Sequence, residues 1–245
     1  MPPPLSQQSA GNLLLATLPP PCLEAVEPDV ETIELELRQI LVQPNAPLDH
    51  AYFLTEGICS IITTNPAGIR VETGLIGREG FIGAPVILGV KTSPYEIMAQ
   101  TKGRALRLSG RALLAAMKQC QELATVLSRF IHLFTLQTSY TTLATAHNSL
   151  VERLARWFLM CHDRVHGDEF SMTDEFLRLI LAVPPSDIDE VVQELEAKRT
   201  IIFSSDSVTV LSRSGLEQVA GGSYGMPESE YERLIAPFRK RAAAR

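Results

Sequence analysis

Nothing in this sequence approaches the ~18–20 consecutive apolar residues that a membrane span requires. The amino terminus, Met1-Pro2-Pro3-Pro4, has no basic segment leading into an apolar run, so neither a transmembrane helix nor a secretory signal is expected and the chain reads as cytoplasmic. Paired cysteines are missing as well. Cys22, Cys59, Cys120 and Cys161 are scattered with no Cys-x-x-Cys spacing, which argues against an iron–sulfur cluster, a zinc site or a disulfide framework and predicts four ordinary thiols. Positive charge is also in deficit. The 22 Lys and Arg stand against 28 Asp and Glu, a net charge of −6, so binding to nucleic acid would need a basic patch running against the overall sign. What is present is a globular composition, 45% hydrophobic and 20% charged over 245 residues, enough for one large or two ordinary cores.

The texture changes twice along the chain. Residues 1–11 read as a loose terminus, with prolines at 2, 3, 4, 19, 20 and 21 around the apolar Leu13-Leu14-Leu15-Ala16-Thr17-Leu18, which predicts a short helix packed on the β region after it. From Val30 to about Leu108 the pattern is β. Ile33-Glu34-Leu35-Glu36-Leu37 alternates with period two, and runs at Tyr52-Phe53-Leu54, Ile58 to Thr64, Ile69 to Ile76 and Tyr95 to Leu108 are separated by turns such as Asn65-Pro66-Ala67-Gly68. Short strands at regular spacing predict a sandwich, jelly roll or barrel over residues 12–110.

From Arg111 to Leu159 there is neither proline nor glycine, and a long helix is expected over 111–148. Leu123, Leu127, Phe130, Phe134, Gln137 and Thr141 recur on it at spacings of four and three, a narrow seam that needs a partner. Two partners are open, the chain's own β domain and a parallel helix from a second copy, and the length of the helix favours the second copy. Residues 149–220 then read as helix, short turn, helix and hairpin. Leu154, Trp157, Phe158 and Met160-Cys161 form the buried face of the first helix. Ser171-x-x-Asp174 and Ser186-x-x-Asp189 are read as capping boxes opening the next two, the last with Ile188, Val191, Val192 and Leu195 inward. Ile201-Ile202-Phe203 and Val208-Thr209-Val210-Leu211 flank a turn. That order is a winged helix-turn-helix. Residues 221–245 are read as a tail, with Arg239-Lys240-Arg241 and Arg245 as a small basic cluster.

The succession of jelly roll, long helix and winged helix-turn-helix resembles the CRP/FNR family of bacterial transcription regulators. The likeness covers roughly residues 12–220 and is carried by Gly77-Arg78-Glu79-Gly80-Phe81-Ile82-Gly83, by Glu152-Arg153-Leu154-Ala155-Arg156-Trp157 and by Met172-Thr173-Asp174-Glu175-Phe176-Leu177. It implies a homodimer, with Leu123, Leu127, Phe130 and Phe134 at its interface, in which an effector felt by the β domain re-aims two DNA-reading helices. From the residues themselves neither a cofactor nor a catalytic role is expected. Thr173, Ser186, Asp189, Glu190 and Gln193 become the DNA-facing residues, and Phe81, Gly83, Ala84, Lys91 and Ser93 the effector pocket.

Two departures from the family pattern are visible. Nucleotide-binding members follow the Phe-Ile-Gly turn with Glu and, further on, with an Arg that holds the cyclic phosphate; here Ala84 follows Gly83 and the later stretch reads Lys91-Thr92-Ser93-Pro94-Tyr95. Cyclic nucleotide is therefore not the expected ligand. Iron–sulfur members carry a cysteine cluster near the amino terminus, where this chain has only Cys22. At the other end, residues 151–213 hold seven basic and twelve acidic side chains, a net −5, and the reading helix presents Asp187, Asp189, Glu190, Gln193, Glu194 and Glu196. Either this helix still reads DNA, or it has become an acidic surface for a basic protein partner. No catalytic constellation is present. His162 and His166 are spaced i, i+4 but lack a third ligand, so no metal is predicted.

Overall fold

A computed structural model describes residues 11–240. Leu14, Leu15 and Leu18 are buried around a short 3-10 turn. Helix α1 (Pro20–Val26) follows with its prolines in the first turn, where a missing N–H costs nothing.

Eight strands then form two antiparallel sheets. β1 (Glu31–Leu35), β8 (Gly103–Ser109), β3 (His50–Glu56) and β6 (Phe81–Ile82) lie in that order in one, and β2 (Ile40–Val42), β7 (Glu96–Ala99), β4 (Cys59–Thr64) and β5 (Arg70–Ile76) in the other. The four-residue helix α2 (Ala84–Ile87) follows β6. Alternation sorts side chains to the two faces: Ile61 and Ile76 enter the jelly-roll core, while Ile58, Ile62, Leu75 and Met98 belong to a second core outside it. That is why Ile58-Cys59-Ser60-Ile61-Ile62 reads as a nearly continuous apolar run, the mark of a strand covered on both faces.

The helical stretch is divided. α3 (Gly110–Gln119) and α4 (Gln121–His147) are separated at Cys120, whose backbone is extended. Leu123, Leu127 and Phe130 are buried in the chain's own β-domain core, and Phe134 packs half-buried against it. This corrects the expectation that the seam faces a second copy: the first half of α4 lies on the jelly roll, which already supplies the apolar partner.

The cysteine reading is corrected too. Cys22 and Cys120 form a disulfide with their Cα atoms 5.4 Å apart, and only Cys59 and Cys161 are free. The pairing is tertiary, between residues 98 apart in sequence, so local spacing could not reveal it.

α5 (Leu150–Arg164) opens with a capping box between Ser149 and Glu152 and is buried on every side from Leu154 to Arg164. The outer face of β4 and β5 covers it, together with β9 (Glu169–Ser171), α6 (Asp174–Leu181), α7 (Pro185–Ala197), β10 (Ile201–Phe203), β11 (Ser207–Val210) and α8 (Arg213–Val219). β9 joins the hairpin as a third strand in the order β10-β11-β9. Neither of the two later capping boxes forms. Ser171 lies in β9 and Thr173 caps α6 without a side-chain bond, while α7 starts at Pro185, leaving Ser186 inside the helix and bonded to Asp187. Pro184 takes the N-cap position and Pro185 the first helical one, so the helix starts two residues earlier than a Ser186 cap would set it.

The segment past residue 220 includes α9 (Met226–Leu234), whose Tyr231 packs edge-to-face with Phe238 against the first core. Arg239 pairs with Glu232 at 2.7 Å and the Lys240 ammonium donates to the Gly167 carbonyl, so these two bases are not a free basic tail. Arg241 and Arg245, and nearly all of the expected loose amino terminus, lie outside the described residues. Among the described residues no helix is long and apolar enough to cross a membrane.

Candidate effector cavity and reading helix

The turn Gly77–Gly83 sets the floor of the β domain. Gly83 has φ +138°, and a Cβ there would meet Ala51 Cβ at 2.8 Å. At Gly80 a Cβ would stand 2.3 Å from the Phe130 ring, so glycine lets the turn rest on α4. Above this floor opens a cleft of about 1090 Å³. Ile61, Val71, Ile97 and Phe81 wall it from the sheets, and Ile131 and Phe134 from α4. It runs on past Thr138, Thr142 and Thr145 to Arg153 and the turn Leu181-Ala182-Val183 of the helical domain.

Four of the expected pocket residues, Phe81, Gly83, Ala84 and Ser93, do line this cleft. Lys91 does not: its side chain is exposed, and its carbonyl accepts Leu48 N–H at 2.9 Å. Only Arg153 is a base and only Glu72 an acid among the lining residues described. Pro85 removes one donor from the first turn of α2. A phosphate in the β-domain half of the cleft would meet neither a guanidinium nor a full set of backbone N–H groups.

Two features escaped sequence reasoning because neither leaves a local mark in the chain. Glu79, in the floor turn, pairs with Arg164 of α5 at 2.8 Å, each side chain 2% exposed. The Glu79 carboxylate also accepts Gly77 N–H at 3.1 Å, and its carbonyl accepts the Tyr231 hydroxyl at 2.8 Å. Burial alone would lower the Arg164 pKa, but the Glu79 and Asp163 carboxylates more than offset it and hold the group charged. Beside it, buried Asp163 accepts from Arg213 at 3.0 Å and from the Tyr224 hydroxyl, yet burial still pushes its carboxyl up to about 6. His162 spends both ring nitrogens nearby, on Asp168 at 2.8 Å and Arg213 at 3.2 Å, which leaves neither for a metal shared with His166. The cavity floor is thus tied by a buried ion pair to the helix that carries the C-terminal domain.

Glu72 is the second feature. It is 1% exposed on β5, and neither carboxylate oxygen has a hydrogen-bond partner. Burial pushes its pKa well above the usual carboxylate range, with the nearby Ser60 hydroxyl acting in the opposite direction. An acidic residue in a β run carries no local sign of this.

At the far end of the molecule, α6 and α7 meet at a turn in which Ala182 adopts a left-handed conformation, φ 54°. Ile188, Val191, Val192 and Leu195 face inward, and Ser186, Asp189, Glu190 and Gln193 are exposed. Three other acids of α7 are engaged locally: Asp187 with Ser186, Glu194 with Lys198, and Glu196 with the Phe203 N–H at 2.9 Å. Thr173 departs from its expected role, since its hydroxyl is buried and unpartnered rather than turned outward.

An antiparallel jelly roll that hands its outer sheet face to a helix–turn–helix with a hairpin defines the class: a cyclic-nucleotide-binding-type β domain joined to a C-terminal helical domain. Residues 32–120 match the family model of the cyclic nucleotide-binding domain. Among solved structures, TTHB099, a CRP-family transcriptional regulator from Thermus thermophilus, is similar with 17% identity and TM-score 0.67, over 79% of this chain and 98% of that one. TTHA1359, a CRP/FNR-family regulator from the same organism, has 20% identity and TM-score 0.63 over 79% and 100% of the two chains. FixK2 from Bradyrhizobium japonicum has 12% identity and TM-score 0.65 over 78% and 96%. No curated protein matches the chain in sequence. The chain therefore has the fold of the CRP/FNR family transcriptional regulators, built on a cyclic nucleotide-binding domain.

Proposed function

We propose that this protein is a homodimeric, cytoplasmic transcription regulator that binds DNA through a winged helix-turn-helix, and that its β domain answers a signal other than a cyclic nucleotide. The observation that carries the reading is the partition of α7: its four apolar residues hold the helix in the domain while Ser186, Asp189, Glu190 and Gln193 are exposed at its outer face. TTHB099 and TTHA1359, which share the fold, are transcriptional regulators.

The second half of α4 supports the dimer. Ile131, Thr135, Thr138, Thr142 and Thr145 recur at heptad spacing on a face the chain leaves partly or fully exposed. The Thr135, Thr142 and Thr145 hydroxyls donate to carbonyls four residues back and that of Thr138 to the carbonyl of Thr135, so hydroxyls bonded to their own helix leave methyl groups to pack. The cleft supports the effector reading, because its β-domain half offers apolar walls and no cation, which suits a largely uncharged molecule.

The acidity of α7 favours a second reading. Asp189 and Glu190 would face the phosphate-lined groove with repulsion, and the same face suits a basic protein surface. Selection from a randomised duplex library at low and moderate salt separates the two. The first reading expects a two-fold symmetric site to be enriched. Absence of binding even at low salt, where phosphate contacts dominate affinity, overturns it in favour of the second.

A further inference from the structure

The disulfide lies where the direction of α4 is set. Cys22 belongs to α1, which packs into the first core beside Leu14, Leu15, Leu18 and Val26. Cys120 is the residue between α3 and α4: it has an extended backbone, caps α4, and its sulfur accepts Leu123 N–H at 3.2 Å. Both cysteines are 4% exposed, and they are roofed by the exposed residue Glu122, whose Oε2 is 3.7 Å from Cys22 Sγ and 3.6 Å from Cys120 Sγ. The pair therefore sits one side chain below the surface. Cys59 and Cys161 are fully buried, and burial drives their thiols far up, so neither competes for oxidation or exchange.

We propose that Cys22 and Cys120 are a reversible thiol–disulfide site whose co-reactant is a low-molecular-weight thiol and its disulfide, and that the state of the bond decides how firmly the first turns of α4 are held. In reduction, a thiolate attacks Cys22 Sγ and the Cys22–Cys120 bond breaks. Cys120 leaves as a thiolate at the amino end of a 27-residue helix, where the dipole and the Leu123 N–H stabilise it and make it the better leaving group. A second thiolate attacks the external sulfur of the mixed disulfide and releases Cys22 as a thiolate. Two protons from water complete the two thiols. Two external thiols are oxidised to one disulfide, and the protein disulfide takes up the two electrons.

In the reduced state Glu122 is placed to accept an S–H from either residue, and α1 is no longer tied to the α3–α4 junction. The oxidised state closes a loop around the whole β domain, because residues 22 and 120 bracket the matched residues 32–120. The site does not depend on the identity of the effector or on DNA binding.

The test uses the full chain, with EDTA present, equilibrated across ratios of reduced to oxidised glutathione, quenched by alkylation and mapped by peptide mass. A single step is expected, in which two alkylated cysteines, Cys22 and Cys120, are lost together on oxidation while Cys59 and Cys161 stay unmodified throughout. Amide exchange over residues 121–127 is expected to speed up by at least threefold on reduction. Cys22→Ser and Cys120→Ser should each abolish the step and show the fast exchange under both conditions. A bond that excess reduced glutathione cannot open, a pair that never oxidises, or a reversible step that leaves exchange at 121–127 unchanged would each overturn the proposal.

Discussion

The sharpest quantitative test concerns which surface the first half of α4 serves. Leu127 is fully buried among β-domain side chains, whereas Leu143, on the same helix, is 51% exposed. Replacing a fully buried leucine with alanine removes its transfer free energy and leaves a cavity, together about 2–5 kcal/mol. For a chain of this size each kcal/mol shifts the melting temperature by about 2–4 °C. Leu127→Ala should therefore melt roughly 4–20 °C below the parent, and the shift should be the same across a hundredfold range of protein concentration, because the lost contacts lie within one protomer. Leu143→Ala should stay within about 0.5 kcal/mol of the parent in monomer stability. Thermal unfolding at several concentrations, with sedimentation velocity on the same samples, reads both. If Leu127→Ala kept the parent's melting temperature at high concentration and instead lowered the sedimenting mass, Leu127 would be an interface residue and its assignment to the β-domain core would be wrong.

Two further outcomes follow from the buried charges. Glu79→Gln strands the Arg164 guanidinium without its ion-pair partner and should cost about 3–5 kcal/mol in urea unfolding, with much of the loss recovered when Arg164→Met is added; a single variant costing under about 1 kcal/mol would show that this pair does not tie the floor turn to α5. Glu72→Gln should flatten part of the pH dependence of stability. The folded carboxyl holds its proton above the unfolded value of ~4.3, so its contribution is fully present below that value and is lost as pH rises toward the raised folded pKa, by about 1.4 kcal/mol for each pH unit crossed. Asp163, pushed up to about 6, acts in the same direction in both proteins and cancels from the difference; parallel stability curves would show that Glu72 ionises freely when folded.

What was legible in the sequence was local. Ile33-Glu34-Leu35 announces a strand because alternation is a property of neighbours, and Ile201–Phe203 with Ser207–Val210 announces a hairpin for the same reason. The break at Cys120 was not legible, because neither glycine nor proline marks it; α1 and α3 packing on one core turns the chain there. The seam of Leu123, Leu127 and Phe130 was legible as an apolar stripe but not as to its partner, since periodicity says that a face is buried and not against what. Glu79 and Arg164 are 85 residues apart, and each taken singly is an ordinary surface type. Of the candidate site, the turn ending in Phe81-Ile82-Gly83 could be placed through its resemblance to the pocket turn of the CRP/FNR family. Lys91 was misplaced because an exposed loop gives no signal of side-chain direction.

The shared second core limits how a signal could travel. Ile58, Ile62, Leu75 and Met98 are covered by the C-terminal domain, and at about 1.5–3 kcal/mol each their burial is worth roughly 6–12 kcal/mol. The Glu79–Arg164 pair and the Arg38–Glu175 bridge at 2.6 Å add to that attachment. Coupling energies between sites are typically about 1–3 kcal/mol, too little to lift the C-terminal domain off the sheet. In the proposed regulator, the two domains of one protomer therefore move together. What remains for an effector or a redox event to change is the direction of α4, fixed at Cys120 at one end and relayed past the extended Asn148 and Ser149 to α5 at the other. Two DNA-reading helices would then be re-aimed by rotating whole protomers about the threonine face of α4, without undocking either one.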